Sequence, residues 1–243
     1  MPRRATDVSR SSPRPCTRPA EERADPAGDE EGERSEAEAD REPFRPRAND
    51  ARINTLLRIY TRRGDDGSTG QLYGGRVRKD DPAVDACGDV DEAQAAIGVA
   101  RAQVQPDSEL DQLLVGLERD LWVLMAELAT AAENRTKLVA GETLVTAEMV
   151  THLESRIDDV TARFEPPAEF VVPGQAPVAA ALDLARTVTR RAERRALGVA
   201  AEGSHVVPYL NRLSDLLWTL ARWQENGSLP ARSTRAEQEH EQP

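Results

Sequence analysis

The chain has 243 residues, of which 39% are hydrophobic and only 4% aromatic, and its formal net charge at pH 7 is -11. This acidic balance argues against a general nucleic-acid binder, which usually carries a basic surplus. Cys16 and Cys87 are the two cysteines and give no disulfide framework, so a reducing compartment is expected. No apolar run reaches membrane-spanning length, and the start lacks the apolar stretch of a signal peptide. We therefore expect a cytoplasmic protein with no membrane or nucleic-acid partner.

Both ends of the chain differ in composition from its middle. Residues 1–48 contain a single aromatic side chain, Phe44, and are rich in Pro, Arg, Glu, Asp and Ala. Such a segment cannot bury enough apolar area to offset the entropy of ordering. We predict disordered tails at 1–48 and 227–243, with one domain at 49–226 between them.

The middle of the chain is predicted to be all-α. After a short, partly apolar segment at 52–60, a glycine-rich stretch covers 64–75, and Asp81 and Pro82 form a helix start, with Asp81 as N-cap. Apolar residues then recur at three- and four-residue spacing. The predicted helices cover 84–105, 108–133, 146–164, 177–199 and 206–224, with a short apolar segment at 170–174 between the third and fourth. Short connections favour an up-and-down bundle of five helices.

The glycine-rich stretch is the first candidate site. Its glycines allow close backbone approach, consecutive N–H groups can form an anion-binding nest, and its hydroxyl and guanidinium groups suit a polyphosphate. It is neither a Walker A loop nor a dinucleotide fingerprint. A flexible surface turn is the alternative interpretation. The residues concerned are Thr61, Arg62, Arg63, Gly64, Ser68 and Thr69.

An arginine-rich stretch inside the predicted fourth helix is the second candidate site. Helical spacing puts Arg186, Arg190 and Glu193 on one face, and five arginines lie within ten residues. So many cations repel one another unless anions or carboxylates lie between them, so either a bound triphosphate or acidic side chains of another helix should be present. An ordinary solvated helix face is the alternative. The neighbouring faces carry Leu182 and Leu184, which we expect in the core.

Weaker signals come from a polar face in the last helix, with Asn211, Asp215 and Trp218, and from the carboxylates at 89–92. The three histidines are too scattered for a metal site or a catalytic pair. Any chemistry is therefore expected to need no protein nucleophile.

Six segments of the sequence together resemble PduO-type ATP:cob(I)alamin adenosyltransferases, in the order in which that family has them. They include ARTVTRRAER and YLNRLSD, and they lie at 59–67, 77–82, 88–92, 170–174, 185–194 and 209–215. The resemblance implies a ferritin-like five-helix bundle that assembles as a homotrimer, with active sites between subunits. Its substrates would be ATP, accompanied by Mg²⁺, and cob(I)alamin, and a hand-off of product to an adenosylcobalamin-dependent enzyme is left open.

The resemblance also assigns roles to residues. Phe170 would lie beneath the corrin ring and displace the lower axial base, Arg190 would share the catalytic role, and Arg186 would pair with Asp91 across the subunit interface. Co(I) itself would attack the 5′ carbon of ATP and expel triphosphate. The residues assigned to ATP are Thr61, Arg62, Arg63, Gly64, Ser68, Thr69, Lys79, Arg190, Arg191, Glu193, Arg194 and Asn211.

Three positions depart from the family pattern: Ala83 replaces an arginine, Gln175 a glycine and Asp183 a histidine. Gln175, Ala83 and the long acidic N-terminal segment support an alternative, a non-catalytic chaperone or sensor of the same fold that binds ATP or a corrinoid. A purely structural bundle is a third reading.

Overall fold

The computed structural model describes residues 60–225 and 227–232, so the predicted tail at 1–48, the segment at 52–59 and residues 233–243 lie outside it. The all-α class is confirmed, and the described part contains five α-helices joined by short connections. They are α1 (Pro82–Arg101), α2 (Glu109–Leu128), α3 (Ala147–Thr161), α4 (Pro177–Ala196) and α5 (Val206–Gln224).

Side-chain caps begin the first three helices. Asp81 accepts a hydrogen bond from the backbone N–H of Ala83 at 2.9 Å, which confirms it as the N-cap of α1. Ser108 caps α2 and Thr146 caps α3 in the same way. The predicted end of α2 was too late, because the chain leaves the helix at Leu128 and continues into a 3₁₀-helix at Ala132–Lys137.

Helix α4 lies at the centre of the bundle, against both α1 and α5, while α2 packs on α1 and α3 packs on α5. The core consists mainly of Ala, Leu and Val, as the composition predicts. Small alanines on α1 and α4 allow close approach of the two helices, and α5 contributes fully buried leucines. Leu184 was predicted in the core but is 55% exposed, because it lies on the side of α4 turned away from both neighbours.

Two small antiparallel sheets flank the helices. The first joins β1 (Ser68–Gly70) to β2 (Arg76–Arg78), and the second joins β3 (Val171–Val172) to β4 (Leu229–Pro230). The second corrects the prediction of a disordered tail from residue 227, because 229–230 supply backbone partners to 171–172. Among the described helices, none combines the length and apolar character that crossing a membrane requires.

Candidate active site

The glycine-rich loop is folded tightly around Gly64. Arg62 and Gly67 have positive φ angles of 59° and 77°, and the N–H of Gly67 donates to the carbonyl of Gly64 at 3.2 Å. A Cβ added at Gly64 would lie 3.0 Å from Nζ of Lys79 and 3.2 Å from the carbonyl oxygen of Ser68. The loop therefore brings together three of the residues predicted to bind ATP, and a larger side chain at position 64 would have to displace the end of Lys79.

Ser68 already has partners within this loop. Its hydroxyl donates to Oδ1 of Asp66 at 2.7 Å, and its N–H donates to the same oxygen at 2.9 Å. These bonds hold the pKa of Asp66 below its usual range. Arg76 donates to the Ser68 hydroxyl at 3.0 Å and to the carbonyl of Arg63 at 2.6 Å, which ties the loop to β2. The Ser68 hydroxyl must therefore give up its hydrogen bond to Asp66 before it can donate one to a phosphate.

Part of the arginine cluster on α4 faces α1. Nε of Arg191 lies 3.5 Å from Oδ1 of Asp89, and its guanidinium also pairs with Glu92, whose hydrogen bond raises the pKa of Arg191. Arg195 pairs with Asp89 at 3.6 Å and with Asp85 at 3.8 Å. Carboxylates of another helix thus neutralise part of the cluster, which is one of the two arrangements expected from the sequence.

The rest of the cluster faces away from α1. Arg190 and Arg194 are exposed, and Arg194 donates to the backbone carbonyl of Arg190 at 2.9 Å. Nδ2 of Asn211 on α5 donates to Oε1 of Glu193 at 3.0 Å. Within residues 60–225 and 227–232, the guanidinium of Arg190 forms no ion pair with a carboxylate. This face can therefore receive an anionic ligand without first breaking a salt bridge.

The loop and the exposed arginines lie at the same end of the bundle. Since Arg195, near the end of α4, pairs with Asp85, near the start of α1, the two helices run antiparallel. The loop precedes α1 directly, so it and the last turns of α4 share that end. In the described chain no hydrogen bond or ion pair joins the loop to Arg190, Glu193 or Arg194. One chain thus supplies both halves of the predicted ATP site without joining them.

Phe170 lies at a cavity of about 740 Å³ near the start of α4. Its side chain is 90% exposed, although a phenyl ring gains most from burial. Arg186 and Trp218 also line the cavity. Because Arg186 and Arg190 are one helical turn apart, about 6 Å along α4, a single helix face joins this cavity to the exposed arginines.

The two residues predicted to pair across a subunit interface have different surroundings here. Arg186 donates to Asp183 within its own chain at 3.2 Å. Asp91 is exposed and lines a second, smaller cavity of about 280 Å³ with Thr69 and Cys87. Burial, and secondarily the charge of Asp91, raises the pKa of the Cys87 thiol, which makes it a poor nucleophile at neutral pH.

A model of the family described as cobalamin adenosyltransferase matches residues 59–224 of this sequence. The chain belongs to this family.

Individual cobalamin adenosyltransferases are similar along most of the same region. The corrinoid adenosyltransferase of Mycobacterium tuberculosis (strain H37Rv) is 42% identical over 172 residues, which cover 69% of this chain and 88% of that protein. The corrinoid adenosyltransferase PduO of Salmonella typhimurium is 38% identical over 173 residues, 70% of this chain and 50% of that protein.

Solved structures of the family share the fold. A variant PduO-type ATP:corrinoid adenosyltransferase from Lactobacillus reuteri, complexed with cobalamin and ATP, superposes with a TM-score of 0.64 at 29% identity. The match covers 72% of this chain and 99% of the Lactobacillus reuteri chain. A second variant from the same organism, complexed with ATP, gives a TM-score of 0.63.

Sequence reasoning missed several residues that shape the site in this family member. Arg76 anchors the loop, but its register opposite Gly70 is visible only once β1 and β2 are paired. Arg222 is buried beside the Phe170 cavity and pairs with Asp183, which the sequence showed only as a departure from the family pattern. A buried arginine among leucines on the last helix was the signal that would have indicated a buried partner.

Proposed function

We propose that this protein transfers the 5′-deoxyadenosyl group of ATP to cob(I)alamin, giving adenosylcobalamin and triphosphate. One observation carries the proposal: a single face of α4 joins a large cavity with an exposed phenyl ring to two exposed arginines. The cavity volume of about 740 Å³ lies in the usual range for small-molecule sites. The corrin ring would occupy the cavity, and the triphosphate would lie along the arginines.

ATP binding would use both halves of the site described above. The backbone and hydroxyl donors of Thr61, Gly64, Ser68 and Thr69, with the side chains of Arg62, Arg63 and Lys79, would hold the phosphates from one side. From the other side would come Arg190 and Arg194, with Glu193 and Asn211 fixing the nucleoside part. Arg191 would add to the positive field while held by α1. Charge-assisted hydrogen bonds of this kind stabilise the growing negative charge of a leaving triphosphate.

The reaction needs no nucleophile from the protein. Co(I) of the corrinoid attacks C5′ of ATP, a Co–C bond forms, and the C5′–O bond breaks with its electron pair passing to triphosphate. The chain contributes the relative position of the two substrates and the stabilisation of the leaving group. Phe170 would contact the lower face of the corrin and exclude the axial base, which makes Co(II) easier to reduce to Co(I).

Mg²⁺ would enter with ATP. In the part of the chain that the structure describes, no group of three or more histidine, cysteine or carboxylate side chains is arranged to hold a metal ion. Mg²⁺ commonly keeps several waters and binds mainly phosphate oxygens in nucleotide sites, so the triphosphate can supply most of its ligands.

A homotrimer with active sites between subunits would join the separated halves of the ATP site. Two large side chains support an interface because they are exposed on helices of this chain: Trp122 at 68% and Leu184 at 55%. In the assembly, Arg186 would exchange part of its bond to Asp183 for Asp91 of a neighbouring subunit. The same proposal includes a domain that begins at residue 49, a cytoplasmic location and hand-off of the product to an adenosylcobalamin-dependent enzyme.

The test mixes purified protein with ATP, Mg²⁺ and chemically reduced cob(I)alamin without oxygen and follows the visible spectrum. Conversion to adenosylcobalamin with release of triphosphate is expected. Arg190→Ala should abolish turnover and leave the helical circular dichroism unchanged. Arg195→Ala is the matched control, because that arginine lies on the same helix but faces α1. Binding of ATP or corrinoid without conversion would refute the proposal and favour a chaperone or sensor, for which Gln175 and Ala83 would be the first positions to revert.

A further inference from the structure

The segment that carries Phe170 is held by the C-terminal strand. In the antiparallel pair of β3 and β4, Val171 lies opposite Pro230 and Val172 opposite Leu229. The N–H of Ala231 donates to the carbonyl of Phe170 itself at 2.8 Å. Because the phenyl ring is 90% exposed, side-chain packing does little to fix it, and these backbone contacts determine its place.

A buried charge network anchors the start of this strand to the helices. The side chain of Arg222 near the end of α5 is 1% exposed and pairs with Asp183 of α4 and, at 3.0 Å, with Oε1 of Glu225. The other oxygen of Glu225 accepts a hydrogen bond from the hydroxyl of Ser228 at 3.0 Å. Removal of one partner from a buried ion pair leaves an uncompensated charge, so this network resists opening. The path from α4 to Ser228 is therefore continuous, and β4 follows directly.

We infer that residues 227–232 are a positioning segment for Phe170, and that they set its height in the cavity through β4 and the Ala231 N–H. The inference rests on the proposed function, and it adds a role for a part of the chain outside the helical bundle. Since α5 ends at Gln224, the bundle is complete without this segment. Loss of the segment should therefore damage the step that needs Phe170 and leave ATP binding unchanged.

The main experiment compares two truncated proteins. One ends at Arg232 and keeps β4, and the other ends at Glu225 and lacks it. Each is assayed with pre-reduced cob(I)alamin, and separately with cob(II)alamin and a reductant. The protein that ends at Glu225 should lose ~10-fold or more on the cob(II)alamin route, which lies within the ~100-fold loss that a misplacement of about 1 Å can cause. On the cob(I)alamin route and in KM for ATP it should stay within ~2-fold of the longer protein. The cob(II)alamin spectrum recorded with ATP should show less four-coordinate species.

A point variant tests the same contact without shortening the chain. Ala231→Pro removes the N–H that bonds Phe170, one residue after the end of β4. Ala231→Ser keeps the N–H and is the matched control. Residue 231 is exposed, so neither change threatens folding. Ala231→Pro should lower the cob(II)alamin rate and the four-coordinate signal, and Ala231→Ser should change neither.

The Phe170→Ala background separates positioning from general damage. If the segment acts through Phe170, Ala231→Pro should cost nothing further once the ring is gone, because the two changes would not be additive. Equal losses with and without the ring would overturn the inference, and so would equal losses on both cobalamin routes. Failure of the full-length protein to convert pre-reduced cob(I)alamin would instead refute the proposed function. The two failures are therefore distinguishable.

Discussion

Neutralisation of Glu127, near the end of α2, should cause a large loss in the free energy of unfolding although the volume of the side chain is kept. Glu127 is 1% exposed, and its carboxylate accepts hydrogen bonds from Arg135 at 2.8 Å, from the hydroxyl of Ser204 at 2.7 Å and from the N–H of Val145 at 2.8 Å. These bonds join α2 to the 3₁₀-helix, to the segment before α3 and to the connection between α4 and α5. A neutral amide at this position has one acceptor oxygen and cannot accept all three hydrogen bonds.

Glu127→Gln keeps the volume but turns one oxygen into an NH₂ group, so a donor must face another donor in a buried place. Hydrogen bonds to charged groups contribute about 1.5–3 kcal/mol each, and breaking a buried ion pair costs about 3–5 kcal/mol. Arg135 is 26% exposed and can be solvated by water once the pair is broken, so we expect a cost at the lower end of the range for a buried ion pair. We expect a loss of about 3 kcal/mol from a total stability of about 5–15 kcal/mol.

Urea denaturation followed by circular dichroism measures this loss, with Glu142→Gln as control because that carboxylate lies exposed in a turn. The midpoint should fall with the slope unchanged. A loss below about 1 kcal/mol for Glu127→Gln would refute the reasoning, since it would mean that water already solvates the carboxylate.

Two other predictions concern the loop and the α2–α5 contact. Gly64→Ala should raise KM for ATP by ~10-fold with little change in melting temperature, because the new methyl group displaces the flexible end of Lys79. Gly70→Ala is the control and should leave KM unchanged, because a Cβ there meets nothing within 4 Å. An unchanged KM for Gly64→Ala would remove Lys79 from the phosphate site. Burial raises the pKa of Asp120, against the hydrogen bond from Tyr209, so its contribution to stability is present below its unfolded pKa and lost as pH rises through the folded value. Asp120→Asn should therefore gain stability relative to the wild type as pH rises above about 4 in urea unfolding, and parallel pH profiles would contradict this.

The helices and the loop were predictable from local signals. Periodic leucines indicated α2 and α5, and an aspartate before a proline identified the N-cap of α1, although the predicted helix began two residues too late, at 84 instead of Pro82. What escaped prediction depends on contacts between distant parts of the chain. The strand at 229–230 has only two residues, one of them a proline, so it does not stand out in the sequence, and it forms through backbone pairing with 171–172.

The same limit applies to the candidate site. The sequence indicated that the arginines of α4 needed anions, but periodicity alone left the choice between ligand and protein carboxylates open. Only the packing of α4 on α1 shows that Arg191 is paired with Asp89 and that Arg190 is not. Leu184 likewise lies on an exposed face because of which helices pack against α4, and spacing along the helix does not show this packing.

The division of the α4 arginines between two faces affects how freely each position can change. Arg191 and Arg195 are matched to carboxylates on α1, so a reversal of charge on one helix can be balanced by the opposite reversal on the other. Arg190 and Arg194 have no such counterpart on α1. In the proposed function their charge is matched by the triphosphate of ATP, so an engineer who wants a different anionic substrate would redesign this pair and leave the contacts of α4 with α1 untouched.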